Sequence, residues 1–360
     1  IVIPIPKRKG SIMIPPEIVN DILCRLPSKS VGRFRSVSKE WLSLLTEPAF
    51  LKTHQITGLK RNHLVFSKNR GRSWYSHPLN HHESVLTPTN LLIESDHRLE
   101  FNGSCNGLVL ISHKFHFDAL VVFNPTTGES VQLPQSDYFD VEPWRISHGI
   151  GYDSVTDDYK VITLTTFKDE ENNFTNFAFL YSLRDNTWKC LGDFPYFVDS
   201  RHGVYLDGFL NWIFGKGIVT FNLAEERFSL IPVVPDVLVS HDGDDFHITG
   251  YSATKITVLG GKLAIYWHSN VMLMNEYGIK ESWIMLRLDR FDDIPMIGYT
   301  MIFYDNHEIR VSDMNRGMML IYDFEKRTFS QNMYVWDMYT FKLEDTYTES
   351  LVSPKINAYN

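Results

Sequence analysis

Cysteine is scarce: Cys24, Cys105 and Cys190 are the only three in 360 residues. Three scattered thiols exclude a disulfide framework and a zinc site built on paired thiolates, and they fit a reducing, intracellular setting. Long apolar runs are missing too. No stretch approaches the roughly 18 to 20 residues of a membrane helix, so no membrane partner is expected. The sequence also lacks G-x-S-x-G, G-x-x-x-x-G-K-[ST] and a dinucleotide-binding glycine fingerprint, which leaves no nucleophile elbow and no phosphate cradle. Ile1 to Pro6 is too short and too interrupted by proline for a signal peptide and reads as a trimmed terminus.

Apolar residues are plentiful, at 43 % of the chain, enough for a large folded body. Charge is distributed unevenly. Residues 1–72 carry 14 Lys and Arg against 4 Asp and Glu, whereas residues 73–360 carry 21 against 39. A chain polarised in this way reads as two modules with different partners.

The first module has helical spacing. Ile14, Ile18, Ile22 and Leu26 recur every four residues, with Val19 and Leu23 beside them, behind a Pro15-Pro16 opening. Pro27 ends that helix. Ser28 is the expected N-cap of a second short helix carrying Val31, Phe34 and Val37, and Ser38 of a third carrying Trp41, Leu44 and Leu45. Helices this short need packed faces, and a bundle of about 40 residues needs support from a partner or from the next domain. A helical cap on the larger domain is one reading. A helix-turn-helix is another, since Arg25, Lys29, Arg33, Arg35 and Lys39 cluster, but Arg alternating with Val and Phe is poorly suited to reading bases.

Residues 60–352 lack long helical patterns and are rich in aromatic and β-branched residues between frequent turns, the pattern of an all-β domain. One phrase recurs: an aromatic or Met, a small polar residue, a turn, and a bulky apolar residue. It reads Tyr75-Ser76, Phe123-Asn124 with Val131, Tyr181-Ser182 with Trp188, Phe221-Asn222 with Phe228, Met274-Asn275 with Trp283, and Tyr322-Asp323 with Phe329. The anchors lie 48, 58, 40, 53 and 48 residues apart. Four strands per repeat of about 40 to 50 residues is the propeller pattern, so six blades of four antiparallel strands are expected, closed by a strand from Tyr339–Val352. Stacking blades in a ring buries the aromatic faces that a lone sheet would expose. A β-sandwich with hairpins of similar length is the alternative. Lys168 to Asn173 reads as an extended hairpin turn.

No constellation points to chemistry. His77, His81 and His82 cluster, and His113 and His116 are three apart, but on strands or loops that spacing turns the side chains to opposite faces, so no metal is expected. Asp242-Gly243-Asp244-Asp245 lacks the ligand alternation of a calcium loop. Asp157-Asp158, Asp244-Asp245 and Asp292-Asp293 read as turn punctuation, and Cys105 as a buried turn cysteine. No cofactor is expected.

Ile14-Pro15-Pro16-Glu17-Ile18-Val19, Ile22-Leu23, Leu26-Pro27-Ser28-Lys29-Ser30-Val31, Arg33-Phe34-Arg35, Val37-Ser38-Lys39 and Trp41, taken in order, closely resemble an F-box. The resemblance implies docking on the Skp-type adaptor of an SCF ubiquitin ligase, and through it on cullin. By position it assigns adaptor contacts to Ile14, Pro15, Ile18, Ile22, Leu26, Pro27, Val31, Val37, Ser38 and Trp41. Gly32 departs from the pattern, which usually has leucine or another side chain there, and a helical glycine costs about 0.8 to 1 kcal/mol relative to Ala.

Asn106-Gly107-Leu108, Phe123-Asn124-Pro125-Thr126-Thr127-Gly128, Gly149-Ile150-Gly151-Tyr152-Asp153 and Tyr347-Thr348-Glu349-Ser350-Leu351-Val352 look like the F-box-associated, kelch-like interaction domain of plant F-box proteins. The division expected is a terminus over 1–13, an F-box module over 14–54 and a propeller-like substrate-binding domain over 55–360. The resemblance implies a non-catalytic substrate receptor, in the cytoplasm or nucleus, that brings a target protein to ubiquitination and degradation. Tyr138, Trp144, Tyr196 and Phe246 are candidate target anchors, being aromatic and placed between blades. The acidic domain suggests a basic target surface and speaks against nucleic acid. A propeller enzyme acting on a small molecule or glycan, with accessory helices, is the rival reading.

Overall fold

A computed structural model describes residues 14–58, 61–79, 90–113, 116–136, 143–198, 200, 202–214, 217–232, 255–267, 270–288, 299–303, 308–313, 318–323, 325–329, 334–335, 337 and 340–355. Four helices come first: α1 (Pro16–Cys24), α2 (Ser28–Phe34), α3 (Lys39–Thr46) and α4 (Pro48–Thr57). Pro16 opens α1 at a position where its missing N–H costs nothing. Ser38 caps α3, its Oγ accepting from Trp41 N at 3.2 Å. Ser28 is not a cap. Pro27 occupies that position, and Ser28 is buried in the first turn of α2. Leu23, Cys24, Val31, Leu45 and Phe50 form the core of the helices.

The remainder folds into six small antiparallel sheets, the blades of a six-bladed propeller. The second-strand segments Leu64–Phe66, Leu108–Leu110, Asp158–Ile162, Phe209–Trp212, Lys262–Tyr266 and Glu308–Val311 recur at equivalent positions. The ring closes where the last strand, Phe341–Thr348, pairs with Asn62–Lys68 and becomes the first strand of blade 1. Four of the basic residues counted in the N-terminal excess, Arg61, Lys68, Arg70 and Arg72, therefore lie at the start of blade 1 or on it and do not belong to the helices.

In blades 2 to 6 the recurring phrase is the hairpin between third and fourth strands; Tyr75-Ser76 is not a copy of it, because it lies inside the third strand of blade 1, Ser73–Pro78. Tyr181 faces Trp188, Phe221 faces Phe228, Met274 faces Trp283 and Tyr322 faces Phe329 across those hairpins. In blade 2 the register differs by one residue from expectation, because Val131 pairs with Val122 and not with Phe123. The small polar residue stabilises the turn: the Oδ1 atoms of Asn124, Asn222 and Asp323 each accept two backbone N–H groups of the turn. Four positions later the chain turns left-handed, at Gly128, Asn186, Glu226 and Arg327. Asp169 organises the hairpin at 168–174 in a related way, accepting from the backbone N–H groups of Glu171 and Asn173.

Six apolar clusters among the described residues occupy the six contacts between neighbouring blades. Blade 3 packs on blade 4 unusually closely. A Cβ at Gly203 would stand 2.5 Å from the indole of Trp212, and one at Gly149 would stand 3.0 Å from it, so both glycines make room for that ring.

His148, on the first strand of blade 3, is buried, with Nδ1 2.9 Å from Thr163 Oγ1. Burial holds its imidazole down to about 3. In the unfolded chain a histidine titrates near about 6.5, so below that pH the unfolded state binds a proton that the native state refuses. Stability is therefore expected to fall as pH drops from about 6.5 toward about 3, by up to about 1.4 kcal/mol per pH unit for this group. Urea unfolding of wild type and His148→Gln at successive pH values checks this: the variant should show the shallower loss.

Candidate protein-docking surfaces

Two surfaces stand out, on opposite faces of the ring. Turns between first and second strands and between third and fourth strands point toward the helices. Asn106 and Gly107, from the first such turn of blade 2, line a cavity of about 180 Å³ together with Ser28 of α2 and His54 and Gln55 of α4. Turns between second and third strands, and the connections between blades, point the other way.

On the helical side, α1 carries an apolar stripe that stays about half exposed among the described residues. Ile18 and Ile22 of α1, and Ile14 just before its N-cap Pro15, are 51 %, 48 % and 47 % exposed, a pattern that leaves this face of the helix unburied. Val37 and Leu42 are exposed beside α3, and Pro15 is exposed at the head of the stripe. Leu26, Pro27, Ser38 and Trp41 are half-buried, with Trp41 edge-on to Phe34 at 5.7 Å. Val31 is different. It is wholly buried in the core of the helices, so any part it plays in docking is to hold them together. Leu42 was not among the sequence candidates; its place on α3 beside Trp41 was the available signal.

The far face carries an aromatic shelf on blade 3. Trp144 lies 5.1 Å from Phe174 and 5.7 Å from Phe197, ring to ring, and Trp144 and Phe174 remain 43 % and 41 % exposed. The Arg145 guanidinium lies 4.9 Å from the Phe197 ring and the Lys168 ammonium 5.7 Å from the Phe174 ring. A cation over a ring face is attracted by its quadrupole. Tyr196 sits apart from it, half-buried against Phe214 at 4.8 Å in the contact between blades 3 and 4. Sequence reasoning picked out Trp144 but missed Phe174 and Phe197, which the long hairpin and the connection to blade 4 bring to it. Tyr138 and Phe246 lie outside the described residues.

Cys105 and the Asp157-Asp158 pair are structural. Cys105 is buried, and burial pushes its thiol well above the ordinary range. Asp158 is buried and accepts from Ser182 Oγ at 2.6 Å and Arg184 N at 2.9 Å, while Asp157 accepts from the Tyr152 hydroxyl, so this acidic pair organises turns. Lys160 is buried with its ammonium 3.0 Å from Asp153 and 3.1 Å from Glu226, a tie between blades 3 and 4. His113 lies beside His97, ring to ring at 5.1 Å; His81, His82, Asp242 to Asp245 and Asp292-Asp293 lie outside the described residues, and of His116 only the backbone is described. Among the described residues no group of three His, Cys, Asp or Glu side chains is placed to hold a metal, and no helix is long and apolar enough to cross a membrane.

Comparison with known proteins gives the same two parts. A family model described as an F-box domain matches residues 12–53, and one described as an F-box associated beta propeller domain matches residues 61–286. F-box protein CPR1 of Arabidopsis thaliana is 28 % identical over 355 residues, covering 88 % of this chain and 83 % of that protein. An F-box/kelch-repeat protein of Arabidopsis thaliana is 30 % identical over 244 residues, covering 61 % of this chain and 65 % of that protein. Among solved structures, the AfRom2 CNH domain aligns over 76 % of this chain and 84 % of its own, with a TM-score of 0.37 and 11 % identity.

Proposed function

The chain belongs to the F-box-associated β-propeller family, and from that premise we propose that it is the substrate-receptor subunit of an SCF (Skp–cullin–F-box) ubiquitin ligase. The observation that carries this reading is the uncovered stripe Ile14, Ile18 and Ile22, beside a ring whose own apolar faces are paired off blade against blade. A Skp-type adaptor covers the stripe together with Pro15, Leu26, Pro27, Val37, Ser38 and Trp41, and links the chain to cullin. The helical module does the docking, and since α4 runs on to Thr57, past the boundary expected at 54, the β-domain that holds the target starts with the strand Asn62–Lys68.

The target docks on the far face, around Trp144, Phe174 and Phe197, because aromatic rings and arginine supply much of the energy of protein interfaces. With the adaptor on one face and the target on the other, the ring acts as a spacer. No bond is made or broken on this chain. It raises the effective concentration of a target lysine near a ubiquitin-charged enzyme, and the target is then degraded. This places its action in the cytoplasm or nucleus.

Co-expression with a plant Skp-type adaptor tests the reading. A stable one-to-one complex on size exclusion is expected. A chain that stays monodisperse alone and ignores the adaptor in a pull-down overturns it.

A further inference from the structure

The strand that closes the ring does not end in the ring. After Thr348 the chain leaves the sheet and runs under the helices. Glu349 N donates to Arg61 O at 2.9 Å, and its carboxylate meets His63 Nε2 at 2.8 Å, with both side chains buried. Asn124, from the third-to-fourth-strand turn of blade 2, donates to the carbonyl oxygens of Ser350 at 3.1 Å and Val352 at 2.7 Å. Between those two anchors Leu351 turns the other way and enters the core of the helices, 3 % exposed, beside Leu23, Val31, Leu45 and Phe50. Its carbonyl accepts from Arg35, which also donates to Leu45 O.

Two glycines fit this path. Gly107 has a positive φ, and a Cβ there would stand 2.3 Å from Ser350 Oγ, so only glycine leaves room for the segment. A Cβ at Gly32, in the middle of α2, would meet Leu351 Cδ2 alone, at 3.9 Å. The helix therefore offers no side chain of its own at this point, and the leucine facing it comes from the end of the chain.

We propose that residues 349–352 form a strap that holds the helices to the closed ring and keeps them in docking-competent form. The helical core is small, and one of its buried apolar residues belongs to a segment more than 290 residues away. The same four residues are bonded to blades 1 and 2, directly after the strand that closes the ring, and complete the helical core. Ring closure and helix order are thus coupled: a chain in which the last strand has not closed the ring does not present the α1 stripe. The strap also sets the angle between the adaptor face and the target face. Its effect on docking rests on the adaptor reading above; its effect on helix order does not.

The test uses the full chain with spin labels at Cys190, which is exposed, and at Ser43→Cys on α3, Cys24 and Cys105 being buried. Leu351→Ala removes the plug. Asn124→Ala cuts the strap at the blade, through a side chain whose bonds run to the strap and to its own turn. In both variants the inter-label distance distribution is expected to broaden, and adaptor affinity to fall about tenfold. Hydrogen exchange in blades 3 to 5 should stay as in wild type. Narrow distances with unchanged adaptor affinity in both variants overturn the strap. If distances broaden but even the wild-type chain ignores the adaptor, the strap stands and the adaptor reading falls.

Discussion

Replacing Ile18 and Ile22 together by aspartate is expected to weaken capture of a Skp-type adaptor by at least about 100-fold while leaving the fold intact. Both side chains are about half exposed on one stripe of α1, so two carboxylates there are solvated in the free protein. In the complex the same carboxylates would be stripped of water against an apolar surface, a cost of several kcal/mol with nothing to repay it. Titration of labelled adaptor against wild type and variant measures the loss, and the far-UV circular dichroism melt checks that the helices persist. A melt that drops with the affinity would mean that the stripe packs within the chain and is not a docking surface. Val31→Asp serves as the contrast: that side chain is fully buried, and the substitution is expected to unfold the helices.

Trp212→Ala is expected to be the most damaging single change in the ring, with a loss of about 3 to 5 kcal/mol. The indole is fully buried between blades 3 and 4, in a slot walled by Gly149 and Gly203, and the backbone there is too closely packed by neighbouring strands to collapse into the space. Gly203→Ala approaches the same site from the other side. Its Cβ would stand 2.5 Å from the ring, so the tryptophan must move out of a packed contact and a comparable loss follows. Urea unfolding followed by tryptophan fluorescence, with Gly208→Ala as a control in open space at an exposed turn, separates packing from the strain of a left-handed glycine. A Gly203→Ala protein as stable as wild type would show that the slot is not tight.

Much of this architecture was legible in the residues. A polar residue that caps its own turn, followed at a fixed distance by a bulky apolar partner, identifies a hairpin whatever surrounds it, and Phe221-Asn222 with Phe228 is the clearest copy. Recurrence of that phrase marked blades 2 to 6, while the Tyr75-Ser76 copy fell inside a strand of blade 1. The α1 stripe was legible for a similar reason, since period-four spacing puts Ile18 and Ile22 on one line of α1, with Ile14 just before its N-cap. Spacing says nothing, however, about which apolar residues stay uncovered. Val31 and Ile18 look alike in the sequence, yet one is core and the other surface.

Charge was misleading at the boundary, because a count along the chain runs past the last helix into Arg61, Lys68, Arg70 and Arg72 of blade 1. The aromatic shelf was half legible. Trp144 is conspicuous as a tryptophan between two strands, but Phe174 and Phe197 reach it only once a long hairpin and an inter-blade connection have folded to the same face.

Local chemistry, then, decided the helices, the hairpins and their repetition, since a cap, a turn or a period is complete within about ten residues. Placement across hundreds of residues was settled by packing. Leu351 belongs to the helical core and Asn124 to the strap because ring closure returns residues 349–352 to the helices, and Gly107 leaves the space the segment needs. No pattern along the sequence carries that information, because the energy of burying Leu351 exists only once Phe341–Thr348 has paired with Asn62–Lys68.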